Sequence, residues 1–206
     1  MSAHDEGVPP ARNTPQDLLD AVDLVIGEHG PSGVTLRRVG DAAGLSHTAA
    51  AHHYKDKPGL FTAYITRAWE QVADALDLAL DVDDHRQGLL AAGTSYAHFA
   101  LANPAAFSVM SRLELARVDT PELWAARERG FFALTAAVQG AQEAGWASER
   151  DTLDLVATTW SFVHGFVDLW TGGPLWAPFD GHDLVSVLER LLSATLDALD
   201  APPTFS

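Results

Sequence analysis

The sequence contains no cysteine among its 206 residues. This absence excludes disulfide bridges, zinc sites with cysteine ligands, iron–sulfur clusters and thiolate catalysis. The chain also lacks an uninterrupted apolar run of the roughly 18 residues that a membrane-spanning helix needs. Residues 1–10 have no Lys or Arg and no apolar segment, which is unlike a signal or transit peptide. We therefore expect a cytoplasmic protein that does not associate with a membrane.

Positive charge is scarce: 13 Lys and Arg stand against 28 Asp and Glu, and the net charge is −15. A chain this acidic should be repelled by the phosphates of nucleic acid. The charge is unevenly distributed, however, because five basic and only two acidic residues lie between Val34 and Trp69. One small basic face can bind phosphate while the acidic remainder suppresses non-specific binding.

Sequence motifs of common catalytic sites are also missing. The chain has no G-x-S-x-G, H-E-x-x-H, G-x-G-x-x-G or phosphate-loop pattern. His47, His52 and His53 lack the i, i+4 spacing with which two histidines hold one metal on a helix. His164 and Asp168 have that spacing. An acid–base pair is one interpretation of it, and we favour the other, a structural hydrogen bond. We predict no catalytic residue, metal or cofactor.

Apolar residues make up 47% of the chain, enough for the core of one globular domain or of one domain with a small module. Their spacing is helical throughout, and the segments are separated by Pro, by Gly and by caps, among them Thr35, Ser46 and Asp56. We predict an all-α fold of about nine helices, with a mobile arm at 1–13 and a tail at 201–206. The predicted helices cover 14–30, 35–44, 47–54, 56–80, 85–102, 105–117, 120–145, 148–171 and 182–199.

A helix-turn-helix pattern lies between Val34 and Ser46. Gly44 can adopt the positive φ that ends the first helix. Ala42 and Ala43 are small enough to let the two helices cross closely. On the pattern alone, a DNA-binding unit and a structural αα-corner are both possible.

Residues 53–61, with the sequence HYKDKPGLF, resemble the end of the DNA-binding domain of the TetR family. The resemblance extends over about 16–69 in the family's order and spacing. A second segment, Trp160-x-x-x-His164-Gly165, resembles one class of TetR-family C-terminal domains. The resemblance implies a DNA-binding domain at 14–60 and a helical ligand-binding and dimerisation domain at 61–200. Residues 58–80 would be the connecting helix.

Candidate DNA contacts follow from this resemblance and from the chemistry of helix ends. Thr35 and Ser46 lie at helix N-termini, where hydroxyl and amide groups bind phosphate oxygens. Lys57 resembles a phosphate clamp, and Thr48 and Ala49 are placed to contact base edges. The full predicted set is Thr35, Arg37, Arg38, Ser46, His47, Thr48, Ala49, His52, His53 and Lys57.

The third helix departs from the family pattern at two positions. Ala51 stands where most members have a tyrosine that contacts phosphate, and Ala50 where a larger apolar residue is usual. The predicted recognition helix therefore has few hydrogen-bond donors, and we expect modest affinity with some specificity from DNA shape. Arg67, further along the chain, is expected at the surface.

The late aromatic segment permits two interpretations. Trp160, His164, Val167 and Trp170 share a helical face, which is typical of an ordinary bundle core. The same face could instead form the apolar, aromatic wall of a small-molecule pocket, with Gly165 allowing a neighbouring helix to approach closely. The predicted ligand-binding residues are Tyr96, His98, Phe99, Phe107, Met110, Phe131, Trp160 and His164.

Together these observations favour a repressor that binds a palindromic operator in double-stranded DNA as a homodimer. The last two helices would form the dimer interface, and a small apolar or amphipathic effector would release the DNA. A second hypothesis is a ligand-binding or hydrolytic helical protein in which the helix-turn-helix is only scaffold. A third is a structural interaction module that dimerises and has no pocket.

Overall fold

The computed structural model describes residues 14–175 and 179–201, apart from the side chains of Thr14 and His47. The predictions for the 1–13 arm, for the last five residues of the tail and for His47 as a DNA contact lie outside the described residues. The described part contains nine α-helices, two short 3-10 helices and no strand, which confirms the all-α prediction. The α-helices are α1 Thr14–His29, α2 Leu36–Ala42, α3 His47–Tyr54, α4 Lys57–Leu80, α5 His85–Ala102, α6 Pro104–Met110, α7 Pro121–Glu143, α8 Thr152–Thr171 and α9 Leu184–Asp200.

Three polar side chains start the helices of the N-terminal part, as predicted. Thr35 precedes α2, Ser46 precedes α3 and Asp56 precedes α4, and each accepts a hydrogen bond from the amide three residues further on. The distances are 3.2, 3.2 and 2.8 Å. Such bonds satisfy first-turn amides that have no partner within the helix.

The helix predicted over 105–117 is shorter in the structure. It ends at Met110 and is followed by a 3-10 turn, Leu113–Leu115. The amide of Arg117 donates to the Oγ1 of Thr62 on α4 at 2.9 Å. This tertiary bond holds the end of the predicted helix against α4, so the segment after Met110 is a loop.

The helix predicted from residue 148 begins at Thr152 instead. Asp151 caps it by accepting hydrogen bonds from the amides of Leu153 and Asp154. Residues 148–150 form a turn, in which the amide of Arg150 donates to the Ala147 carbonyl at 3.0 Å.

The long helix α4 connects the two ends of the molecule. Its 24 residues span about 36 Å. Near its start it contacts α1 and α3, and further along it packs against α5, α6 and α7. Leu60 and Phe61 are fully buried at the first end, and Trp69 and Leu76 are buried further along. One hydrophobic core is therefore continuous from α1 to α9.

Arg67 of α4 lies between helices, and the prediction that it is a surface residue is wrong. Its side chain is only 16% exposed, and its guanidinium forms ion pairs with Asp20 and Asp23 of α1. The cation therefore fastens α1 to α4 and does not belong to the exposed basic face.

Candidate functional site

The turn between α2 and α3 brings the two helices into close contact. The amide of Leu45 donates to the carbonyl of Gly40 at 2.8 Å, and a Cβ on Gly40 would lie 3.3 Å from the Leu45 oxygen. Gly44 has a φ of 67°, as its predicted role requires. Ala42, in contrast, is exposed and Ala43 half-buried. The close crossing therefore depends on Gly40. The prediction that the small side chain of Ala42 allows the crossing is wrong.

The exposed face of α3 is polar and small. Thr48, His52 and His53 are exposed, Ala49 is half-buried, and Ala50 is fully buried in the core. The single methyl group of Ala50 thus packs inward, and the other four side chains remain accessible to a partner.

Exposed cations and hydroxyl groups flank this face. Arg37 and Arg38 are both exposed on α2. The Nη1 of Arg38 donates to the Gly33 carbonyl at 2.7 Å, and the Nε of Arg37 lies 3.9 Å from Asp41. The capping oxygen of Thr35 accepts one hydrogen bond, but its hydroxyl still has a proton to donate.

Lys57, predicted as a phosphate clamp, is partly engaged within the protein. Its ammonium donates to the carbonyls of Pro31 and Ser32 at 3.1 Å each and lies 5.6 Å from the centre of the Phe61 ring. Burial lowers the pKa of Lys57 below its ordinary value. An ammonium has three N–H donors, so one remains for a phosphate.

In the C-terminal part, four predicted ligand-binding residues form one aromatic cluster. The hydroxyl of Tyr96 and the Nδ1 of His164 are 2.7 Å apart. The ring of Phe107 lies 6.0 Å from Tyr96 and 5.5 Å from His164, and Trp160 lies 5.9 Å from Tyr96. Burial, with a smaller contribution from the charge of Asp168, raises the pKa of Tyr96. The phenol therefore stays protonated.

Beside this cluster is a small cavity of about 40 Å³, which we call the internal cavity because it lies deeper than a larger groove between α4, α7 and α8. Tyr96 and Trp160 are the two predicted ligand-binding residues in its wall, which comprises Leu76, Leu89, Ala92, Gly93, Tyr96, Leu134, Thr159, Trp160, Val163, Leu192 and Leu196. A cavity of this size has room for a few water molecules at most. Sites for drug-sized ligands are usually about 300–1,000 Å³, so the cavity in this conformation cannot hold such a ligand.

The structure does not bring all eight predicted ligand-binding residues together. Phe99 and Met110 are buried but are not members of the aromatic cluster. His98 is exposed, because successive residues of a helix point about 100° apart and its neighbours on α5 face inward. Phe131 is 41% exposed and lies outside the cavity wall.

Phe131 belongs to a larger opening, which we call the aromatic groove. It has a volume of about 550 Å³ and lies between α4, α7 and α8. Its wall comprises Trp69, Ser111, Trp124, Arg127, Glu128, Phe131, Val156, Ala157, Trp160 and Ser161. Trp160 also lines the internal cavity, so its indole separates the two spaces.

A stack of rings and one cation forms the wall of the aromatic groove. Trp69 stacks on Trp160 with ring centres 5.8 Å apart and an interplanar angle of 19°. The guanidinium of Arg127 lies 5.8 Å from the Trp69 ring and 4.7 Å from the Trp124 ring.

Sequence reasoning missed Trp69, Trp124 and Arg127. A signal was present on α7, where Trp124, Arg127 and Phe131 follow one another at i, i+3 and i+7 and share a face. Their partner Trp69 lies on α4, more than fifty positions earlier in the chain.

Two other kinds of site are absent from residues 14–175 and 179–201. No group of three His, Asp or Glu side chains there could hold a metal ion. Within the same residues, no helix is both long enough and apolar enough to cross a membrane.

Two parts of the chain match known families of regulatory proteins. Residues 18–64 match the bacterial regulatory proteins of the tetR family. Residues 89–195, just over half of the chain, match the tetracyclin repressor-like C-terminal domain. The chain belongs to the TetR family. This TetR-family protein is therefore a DNA-binding transcriptional regulator with an N-terminal helix-turn-helix.

Among curated relatives, the HTH-type transcriptional repressor AcnR of Corynebacterium glutamicum is 41% identical over 51 residues. The match covers 25% of this chain and only 27% of AcnR.

Solved structures share the fold over almost the whole length. A protein of unknown function from Rhodococcus sp. RHA1 has a TM-score of 0.80 and 23% identity, and the match covers 95% of this chain and 100% of that one. A TetR family transcription regulator from Marinobacter aquaeolei VT8 has a TM-score of 0.70 and 24% identity, with 90% and 94% covered. At these identities, the likeness concerns the fold.

Proposed function

We propose that this TetR-family regulator is a cytoplasmic repressor that binds a palindromic operator as a homodimer and is released by a small amphipathic molecule. Residues 14–60 would be the DNA-binding domain and 61–200 the ligand-binding and dimerisation domain. The observation that carries the proposal is the exposed polar face of α3, which α4 connects to the aromatic groove.

In this proposal α3 is the recognition helix and enters the major groove. Thr48 offers a hydroxyl and a methyl group, and Ala49 a methyl group, to base edges. Arg37, Arg38 and the remaining N–H of Lys57 bind phosphates, which position the helix without reading sequence.

Helices α8 and α9 would form the dimer interface. Leu169 of α8 is 48% exposed and lies four residues from Gly165, on the same side of the helix, so a partner helix there would cover it. A Cβ built on Gly165 of the same helix would meet no atom within 4 Å in the single chain, so a second copy has room to approach there. A two-fold dimer would place its recognition helices about 34–36 Å apart.

Ligand response would pass through α4. Trp69 lines the aromatic groove, and the N-terminus of the same helix begins at Lys57, three residues after the recognition helix ends. A ligand that prefers one orientation of α4 must change the affinity for DNA, and DNA must change the affinity for the ligand by the same factor.

A mobility-shift titration of the purified protein on its own upstream DNA tests the proposal. We expect a sharp complex with one palindromic fragment. Arg37, Arg38 and Lys57 give about six phosphate contacts in a dimer, for which log K should fall with log salt with a slope of about −5. Equal binding to every fragment, or no binding, would contradict the proposal.

The variant Ala49→Glu tests the recognition helix directly. A carboxylate there faces the phosphates and base edges, so we expect specific binding to fall by about thirtyfold or more, given the 2–5 kcal/mol cost of an unpaired charge at an interface. Leu78→Glu is the charge-matched control, because Leu78 is 80% exposed on α4 and lies about 30 Å along the helix from its start. Equal losses in the two variants would show that α3 does not contact the DNA.

A further inference from the structure

Arg127 lies in the aromatic groove and has no acidic partner among residues 14–175 and 179–201. The arginines at 67, 86, 112, 117 and 129 each form an ion pair with Asp or Glu, and Arg150 donates to two backbone carbonyls. Arg127 is half-buried, and within the described residues its guanidinium contacts the indole rings of Trp69 and Trp124 and forms no ion pair. Arg190, by contrast, is exposed on α9.

Two indole faces stabilise the positive charge of a guanidinium, but they do not accept its five N–H donors in ordinary hydrogen bonds. A half-buried guanidinium between aromatic rings is thus held in place with its donors unused. Such a group is prepared to bind an anion, and a planar carboxylate matches its donors in a two-pronged hydrogen-bonded pair.

We propose that the aromatic groove binds a small organic monocarboxylate, with its carboxylate on Arg127 and its apolar body against Trp69, Trp160 and Phe131. This inference rests on the proposed function, since it names the chemical class of the effector. The groove volume of about 550 Å³ falls in the usual range for small-molecule sites.

Charge around the groove selects a single negative charge on the ligand. Glu128 lies in the groove wall, and the whole chain is strongly acidic. A polyphosphate would meet one cation and a repulsive surrounding field, whereas a monocarboxylate is neutralised by Arg127 alone.

A matched pair of fluorescent probes tests this assignment. Pyrenebutyrate and pyrenebutanol share one apolar body and differ only in carrying a carboxylate or a hydroxyl group. Their binding is followed by quenching of tryptophan emission, because Trp69, Trp124 and Trp160 line the groove. The variant Arg127→Gln should weaken pyrenebutyrate roughly tenfold to hundredfold, the range for a lost hydrogen bond to a charged group. The binding of pyrenebutanol should change less than about twofold, since it has no charge to lose.

The control variant is Arg190→Gln, which removes an exposed arginine of α9 outside the groove and should leave both affinities unchanged. Equal losses of both probes in Arg127→Gln, or no loss of pyrenebutyrate, would overturn the inference. The mobility-shift assay keeps this result separate from the proposed function. If the wild type and Arg127→Gln bind the operator alike but carboxylate binding does not depend on Arg127, only the ligand assignment fails.

Discussion

Lys55 joins α3 to α4 in a backbone conformation that L-amino acids rarely adopt. Its φ is 61° and its ψ is −56°, and the amide of Asp56 donates across it to the Tyr54 carbonyl at 2.7 Å. This geometry is that of a classic γ-turn, which is rare and strained. A strained residue of this kind costs about 1–3 kcal/mol, and the surrounding helix contacts must maintain it.

The variant Lys55→Gly should therefore raise the free energy of unfolding by about 1 kcal/mol, since glycine adopts a positive φ without steric cost. Urea denaturation of the full chain measures the change. Lys55→Ala is the matched control, because it removes the same charge but keeps the Cβ and should give no such gain. If the two variants are equally stable, the turn is not strained.

At the scale of the element, Asp56 stabilises the start of α4 in two ways. Its carboxylate accepts the Gly59 amide hydrogen bond and forms an ion pair with Arg117, which lies in the loop before α7. The Gly59 hydrogen bond and, more weakly, the Arg117 guanidinium lower the pKa of Asp56 below its ordinary value of 3.8. This one side chain links the start of α4 to the loop before α7.

The lowered pKa predicts how Asp56 contributes to stability at different pH. Its contribution is present above pH 3.8, the ordinary value, and is lost as the pH falls through the lower value in the folded protein. Asp56→Asn keeps a good capping oxygen but loses the charge, so its melting temperature should be below that of the wild type at pH 7, and the difference should shrink below pH 3.8.

Thermal melts of the two proteins across this pH range check the prediction. Arg117→Ala keeps the Gly59 hydrogen bond and should show part of the same effect. A difference that is as large in acid as at neutral pH would mean that the charge of Asp56 does not stabilise α4.

At the scale of the whole molecule, the hydrophobic core is continuous, so only the residues that it leaves exposed can recognise a partner. The surfaces left uncovered include the polar face of α3, the aromatic groove and the part of α8 around Gly165 and Leu169. The first and second are joined by α4, and the third is the surface proposed to meet a second copy.

The variant Gly165→Glu tests the proposed dimer. In the single chain the position is open, and replacing a helical glycine stabilises a helix by about 0.5–1 kcal/mol, so the chain should fold. Two carboxylates facing each other across a two-fold axis should instead separate the subunits. Sedimentation velocity should show a smaller particle than the wild type, with unchanged helical circular dichroism. The control is Gly27→Glu, at an equally open position of α1, which should sediment as the wild type does. If Gly165→Glu also sediments as the wild type does, the interface lies elsewhere.

Sequence reasoning was accurate where the physical cause is local. Thr35, Ser46 and Asp56 were assigned as caps because a cap acts within one turn of its own helix. The positive φ of Gly44 was likewise predicted from the turn alone. The aromatic groove was missed because its rings come from three helices that only the fold brings together.

Other errors have the same origin. Arg67 was expected at the surface because its partners Asp20 and Asp23 lie more than forty positions earlier. The helix after Pro104 was predicted too long because Thr62 of α4, far away in sequence, holds the Arg117 amide.

By itself, the sequence determined the all-helical fold, the helix starts of the N-terminal part and the resemblance to the TetR family, because these depend on short-range spacing. The tertiary structure alone decided that Lys57 binds the Pro31 and Ser32 carbonyls, that the inner cavity is small, and that Arg127 lies in an open groove. Each of these depends on which helix faces meet. Helical periodicity defines the faces of each helix but not its neighbours.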